Sequence, residues 1–107
     1  MKVSRLALFG MLGLGIFSVE VRAESWPSKP IRAVVPLAAG STTDIIPRIV
    51  FEELARQPGQ PIVVENRPGA GGTTGAAAVA RSDPDGYTIL ANGSGHTIAP
   101  ALYPNLG

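Results

Sequence analysis

Three short stretches hold the groups that could do chemistry: AAGSTTD at residues 38–44, NRPGAGGTTGA at 66–76 and NGSGH at 92–96. Each is rich in glycine, serine or threonine, so backbone N–H groups stay accessible. The first two lie where a strand hands over to a helix. There the opening N–H groups of the helix have no intrahelical partner and mark the positive end of its dipole. An anion at such a place gains roughly 0.3–1 kcal/mol from each dipole, and up to ~2 kcal/mol when partly buried, besides its hydrogen bonds. Two such ends side by side make an anion seat without any lysine or arginine.

Phosphate is the first anion to test. A dinucleotide fingerprint counted from Gly69 needs a glycine at 74, where Thr74 stands; the glycines fall at 69, 71, 72 and 75. No Gly-Lys pair occurs, which excludes a Walker A loop. Enzymatic readings fail sooner. Ser94 lies in NGSGH rather than in a nucleophile elbow, and His96 is the single histidine. There is no cysteine, so thiolate metal sites and disulfides are excluded. No catalytic set, metal site or cofactor is expected. Asp44 has two readings, a contact to a ligand amine or a first-turn acid favoured by the dipole. Arg67 could meet a ligand carboxylate or hold Glu65 or Glu53 at the surface.

The elements that position these turns follow from local pattern. IRAVVP at 31–36 is a β-branched run bounded by prolines, and PIVVE at 61–65 and YTILA at 87–91 are further strands. Ser41, Thr42 or Thr43 can cap a helix, and Ser41 with Asp44 has capping-box spacing. Apolar residues at 45, 46, 49, 50 and 54 then predict one buried stripe. Pro47 opposes a helix interior at a cost of ~3 kcal/mol, so the helix is expected to start near Ile46 or to kink there, and to end before Pro58 and Gly59. A second helix is predicted over about 73–82, where alanines allow close approach to a sheet. Alternation of this kind implies right-handed crossovers and a parallel sheet, α/β in class. Ligands then bind beyond the carboxyl ends of the strands, where the three turns gather.

The first 23 residues read as an export address. Lys2 and Arg5 precede the apolar run Leu6 to Phe17, and Val21 to Ala23 resemble a cleavage site, so cleavage after Ala23 is expected. The run is too short and too glycine-broken for a stable membrane anchor. An exported, periplasmic protein is the expectation. The 107-residue chain carries nine basic and eight acidic side chains, but residues 24–107 hold six and seven, a net charge of −1. No basic cluster supports nucleic-acid binding.

WPSKPIRAVVPLAAGSTTD, GQPIVVENRPGAGGTTGAAAVARSDPDGYTIL and HTIAPALYPNL, in this order, resemble the extracytoplasmic solute-binding receptors of the tripartite tricarboxylate transporter family, also called Bug proteins. The resemblance covers nearly all of residues 26–107. It implies a two-lobed periplasmic-binding-protein fold that captures small carboxylates between its lobes for a membrane permease. It further implies that backbone amides and bridging waters hold one carboxylate. They come from Leu37, Ala38, Ala39, Gly40, Ser41, Thr42 and Thr43 in the first turn and Pro68, Gly69, Ala70, Gly71 and Gly72 in the second. The third turn, with Ser94 and His96, would line the same cleft.

Some positions depart from the family pattern. Leu37 stands where phenylalanine is frequent, Ser41 where a second glycine is common, and Gly95 and Ala99 where threonine and asparagine are often found. Pro58 replaces a helix-compatible residue and shortens the first helix. Members run to roughly 300 residues, a length that makes two domains. Residues 24–107 are therefore expected to be the βαβαβ part of the N-terminal lobe, a fragment with the second lobe absent. Two other readings remain: a small α/β nucleotide- or phosphate-binding enzyme, and a non-binding remnant or interaction protein whose sheet edge pairs with another chain.

Overall fold

The computed structural model describes residues 23–57 and 59–106; the expected export address lies almost wholly outside them, as does Pro58. Three strands form a parallel sheet: β1 (Ile31–Val35), β2 (Ile62–Asn66) and β3 (Thr88–Leu90). Three helices alternate with them: α1 (Thr42–Ala55), α2 (Thr73–Ala80) and α3 (Gly95–Leu102). A single-turn 3-10 helix, Ala70–Gly72, leads into α2. The sequence anticipates the strands to within a residue or two. It leaves the third turn without a bounded helix, and α3 fills that place with Pro100 inside it.

The strand order is β2-β1-β3, with Ile31 opposite Ile62, Val35 opposite Asn66 and Val34 opposite Leu90. The β-branched run of β1 thus occupies the centre, and Ala33, Val34 and Val35 are fully buried. The first crossover moves to one side of β1 and the second returns across it. Right-handed connections then place α1 and α2 on opposite faces, and the direction reverses between β1 and β3. The chain therefore has a topological switch point at its central strand.

Helix α2 reaches the sheet through Gly75. A Cβ there would stand 2.8 Å from the Arg67 carbonyl oxygen and 2.8 Å from Pro36 Cβ, so only glycine permits this approach. At the opposite edge, Tyr87 joins the segment before β1 to the turn before β3. Its Oη accepts the Ser28 N–H at 2.8 Å, and Lys29 lies 4.5 Å over its ring.

Helix α1 departs from expectation twice. It runs unbroken from Thr42 through Pro47, although proline removes one backbone donor. Its predicted buried stripe is exposed: Ile45, Ile46, Ile49, Val50 and Leu54 all remain at least two-fifths accessible. The helix turns Asp44, Arg48, Phe51 and Ala55 inward instead, one narrow arc at 100° per residue. Arg48, Phe51 and Ala55 line a shallow cleft with Ile62 and Val64 of β2. The aliphatic positions occupy the opposite, outer side of the helix, and no other element lies over them among the described residues. Helical period alone identifies an apolar side, whereas the buried charge of Asp44 and its partners decides which side meets the sheet.

Candidate functional site

The turn after β1 spans Leu37 to Ser41, with Gly40 at φ 85° and a Ser41 N–H to Ala38 oxygen bond of 3.3 Å. Ser41 stands at the N-cap of α1, but its hydroxyl makes no capping bond and is buried without a hydrogen-bond partner. The expected capping box is thus replaced by a different arrangement. The N–H groups of Thr42 and Thr43 find no acceptor among the described residues, as helix starts leave them.

Asp44 instead bonds one residue further back, to Gly40, while the Ser41 N–H goes to the Ala38 oxygen. Only 2% exposed, the Asp44 carboxylate accepts the Gly40 N–H, Arg48 Nε and Asn66 Nδ2, each at 2.9 Å. Arg48 first, then the Gly40 amide and Asn66, hold its pKa at about 2, below the ordinary carboxylate value of 3.8, outweighing the opposing effect of burial. Asn66 also donates to the Leu37 carbonyl at 3.1 Å and accepts from Arg48 Nη2 at 2.9 Å. A ligand amine therefore finds this carboxylate already engaged. Of the two readings of Asp44, the geometry favours the first-turn acid.

The turn after β2 is left-handed over four residues: Gly69, Ala70, Gly71 and Gly72 have φ of 137°, 44°, 64° and 92°. Ala70 alone among them carries a Cβ in a conformation that costs L-residues roughly 1–2 kcal/mol. The Ala70 and Gly71 N–H groups find no acceptor among the described residues. The turn is closed by the Gly72 N–H to Gly69 oxygen bond of 2.9 Å and braced by Thr73 Oγ1 donating to the Ala70 oxygen. Arg67, a candidate carboxylate partner, instead donates to Glu65, whose pKa its guanidinium lowers.

The third turn adjoins both others. A Cβ at Gly93 would stand 3.6 Å from Thr43 Oγ1, against the start of α1. Asn92 and His96 line a cavity of about 450 Å³ with Gly71, Gly72, Thr73 and Thr74, over an apolar floor that includes Ala76, Ala77, Ala80, Ala99 and Pro100. The structure thus brings Gly71, Gly72 and His96 together. Leu37 to Thr43, Pro68, Gly69, Ala70 and Ser94 lie outside that cavity's lining. Ser94 and His96 are exposed.

Sequence reasoning missed Arg48, Asn66 and Tyr103. Asn66 follows a β-branched run and reads locally as the first turn residue, although it ends β2. Tyr103 lies against Gly71, where an added Cβ would meet its hydroxyl at 2.6 Å. No local signal marks either contact.

A parallel sheet ordered 2-1-3, with glycine-rich turns gathered beyond its carboxyl edge at the switch point, defines a ligand-binding α/β lobe. Residues 46–107 match the model of the tripartite tricarboxylate transporter family receptor, and the chain belongs to that family of periplasmic solute-binding receptors. A UPF0065 protein of Bordetella bronchiseptica is 42% identical over 105 residues, which are 97% of this chain and 31% of the relative. The solved periplasmic binding protein BugD is 49% identical with a TM-score of 0.59, over 61% of this chain and 22% of that one. MatC of Rhodopseudomonas palustris with bound malate is 45% identical with the same score and coverage. The chain spans about a third of the length of the curated relative, and the aligned parts correspond to a portion of one lobe.

Proposed function

We propose that this chain supplies the carboxylate-holding turns of an extracytoplasmic receptor for small organic acids, which passes its ligand to the membrane permease of a tripartite tricarboxylate-type transporter. One observation carries the reading. Two turns on adjacent parallel strands present open backbone N–H groups, with the buried Ser41 hydroxyl unpartnered behind them, while the nearby guanidiniums of Arg48 and Arg67 are already paired with Asp44 and Glu65. Anion recognition there rests on amides and helix ends, which suits the two oxygens of a carboxylate. The malate carried by MatC supports the same chemistry. Leu37 to Thr43 and Pro68 to Gly72 contact the ligand directly or through water, and Ser94 and His96 border it.

Affinity from one open edge is low. A micromolar receptor needs about 8 kcal/mol, and the turns of residues 37–43 and 68–72 taken by themselves leave much of a dianion hydrated. Titration of ¹⁵N-labelled protein with malate is expected to shift the amides of Leu37–Thr43 and Ala70–Thr73 only at millimolar ligand. Inorganic phosphate is expected to shift them less. Shifts centred on another surface, or a phosphate response stronger than that to malate, overturn the reading.

A further inference from the structure

We propose that Asn66, braced by Asp44 and Arg48, is a positioning residue that makes the turns after β1 and β2 order as one unit. The ligand consequence rests on the carboxylate reading above; the mechanical coupling does not. Asn66 closes β2 and is the root of the second turn, and its side chain leaves that strand to hold the first turn. Its amide nitrogen donates to the Leu37 carbonyl at 3.1 Å and to Asp44 Oδ1 at 2.9 Å, while Asp44 Oδ2 accepts the Gly40 N–H at 2.9 Å. Both ends of the segment Leu37–Gly40 are thereby held by one connected set of bonds, and Ala38 and Ala39 are left exposed between them.

Strand pairing does not require this side chain. The β1–β2 register is carried by backbone bonds up to Val35 opposite Asn66, and continues with the Arg67 N–H to Val35 oxygen bond of 2.8 Å. The residue type answers to the network instead. Position 66 must donate twice and accept once, from Arg48 Nη2 at 2.9 Å, which an amide does. Aspartate there would face Asp44 with a second negative charge and no donor, and leucine would leave the Leu37 carbonyl and one Asp44 bond unmade. Arg48 binds Asp44 and Asn66 with separate nitrogens and so fixes their relative position.

The test compares amide hydrogen exchange and malate titration in the 107-residue protein and in Asn66→Leu. In the unmodified protein, amides of both turns are expected to titrate with one midpoint. In Asn66→Leu, the Gly40 amide is expected to exchange at least tenfold faster while the Val34 amide changes far less, and the shared malate midpoint of Ala39, Thr42, Ala70 and Gly71 is expected to rise at least tenfold. Equal acceleration at Gly40 and Val34, or a malate midpoint at the same concentration as in the unmodified protein, overturns the proposal. Arg48→Met alters a half-exposed side chain and is the second probe should Asn66→Leu not fold. A rise confined to Gly40 supports the coupling, and a uniform rise overturns it. If the unmodified protein shows no response to malate, the carboxylate reading falls, and the exchange comparison still decides the coupling.

Discussion

At the scale of single residues, the most consequential group is the buried Asp44 carboxylate. Its folded pKa of about 2 lies below the ordinary 3.8, so the folded state binds its proton less readily than the unfolded chain does. Stability from this group is therefore complete above about pH 4 and is lost as pH falls toward about 2. Glu65, lowered by Arg67, acts in the same direction. Denaturant titrations of the parent and Asp44→Asn are expected to show a stability gap that is full at neutral pH, narrows below about pH 4 and is mostly gone near pH 2. A gap independent of pH over that range would show that charge is not what Asp44 contributes. The types and order of these residues were legible in the sequence, including the doubt over whether Asp44 faces a ligand. Its partner Asn66 was not, because it reaches Asp44 across 22 positions and the Leu37 carbonyl across 29.

At the scale of elements, packing is tightest where α2 meets the end of β1. Gly75→Ala would place a methyl group 2.8 Å from both the Arg67 carbonyl oxygen and Pro36 Cβ, against backbone that cannot swing aside. A loss of about 3 kcal/mol is expected, at the upper end of overpacking costs, read as a shift of the urea midpoint. Ile49→Lys on the outward flank of α1 offers the contrast: at 65% exposure it is expected to change stability by no more than about 0.5 kcal/mol. The two substitutions separate what the sequence revealed about helices from what it hid. The alanine-rich composition of α2 announced close packing, but Gly75 makes the approach, while Ala76, Ala77 and Ala80 line the cavity. The stripe of α1 announced burial on a face that the sheet does not cover, since a charged network took the inner arc.

At the scale of the whole molecule, the N-terminal segment and the lobe make separate predictions. Export with cleavage after Ala23 predicts a mature chain beginning at Glu24, which intact-mass measurement of periplasmic protein checks; retention of residues 1–23 would contradict it. Among the described residues no helix is long and apolar enough to cross a membrane. By itself the sequence determined the α/β alternation, the strand positions, the three glycine-rich turns and the family, because these rest on local periodicity and on motif order. Only the tertiary structure decided that β1 is central, that α1 turns the arc of Asp44, Arg48, Phe51 and Ala55 rather than its aliphatic side to the sheet, and that Asn66 joins the two turns. Each of these depends on groups far apart in the chain meeting in a buried place, where an unpaired carboxylate or carbonyl is costly and every polar atom must find a partner.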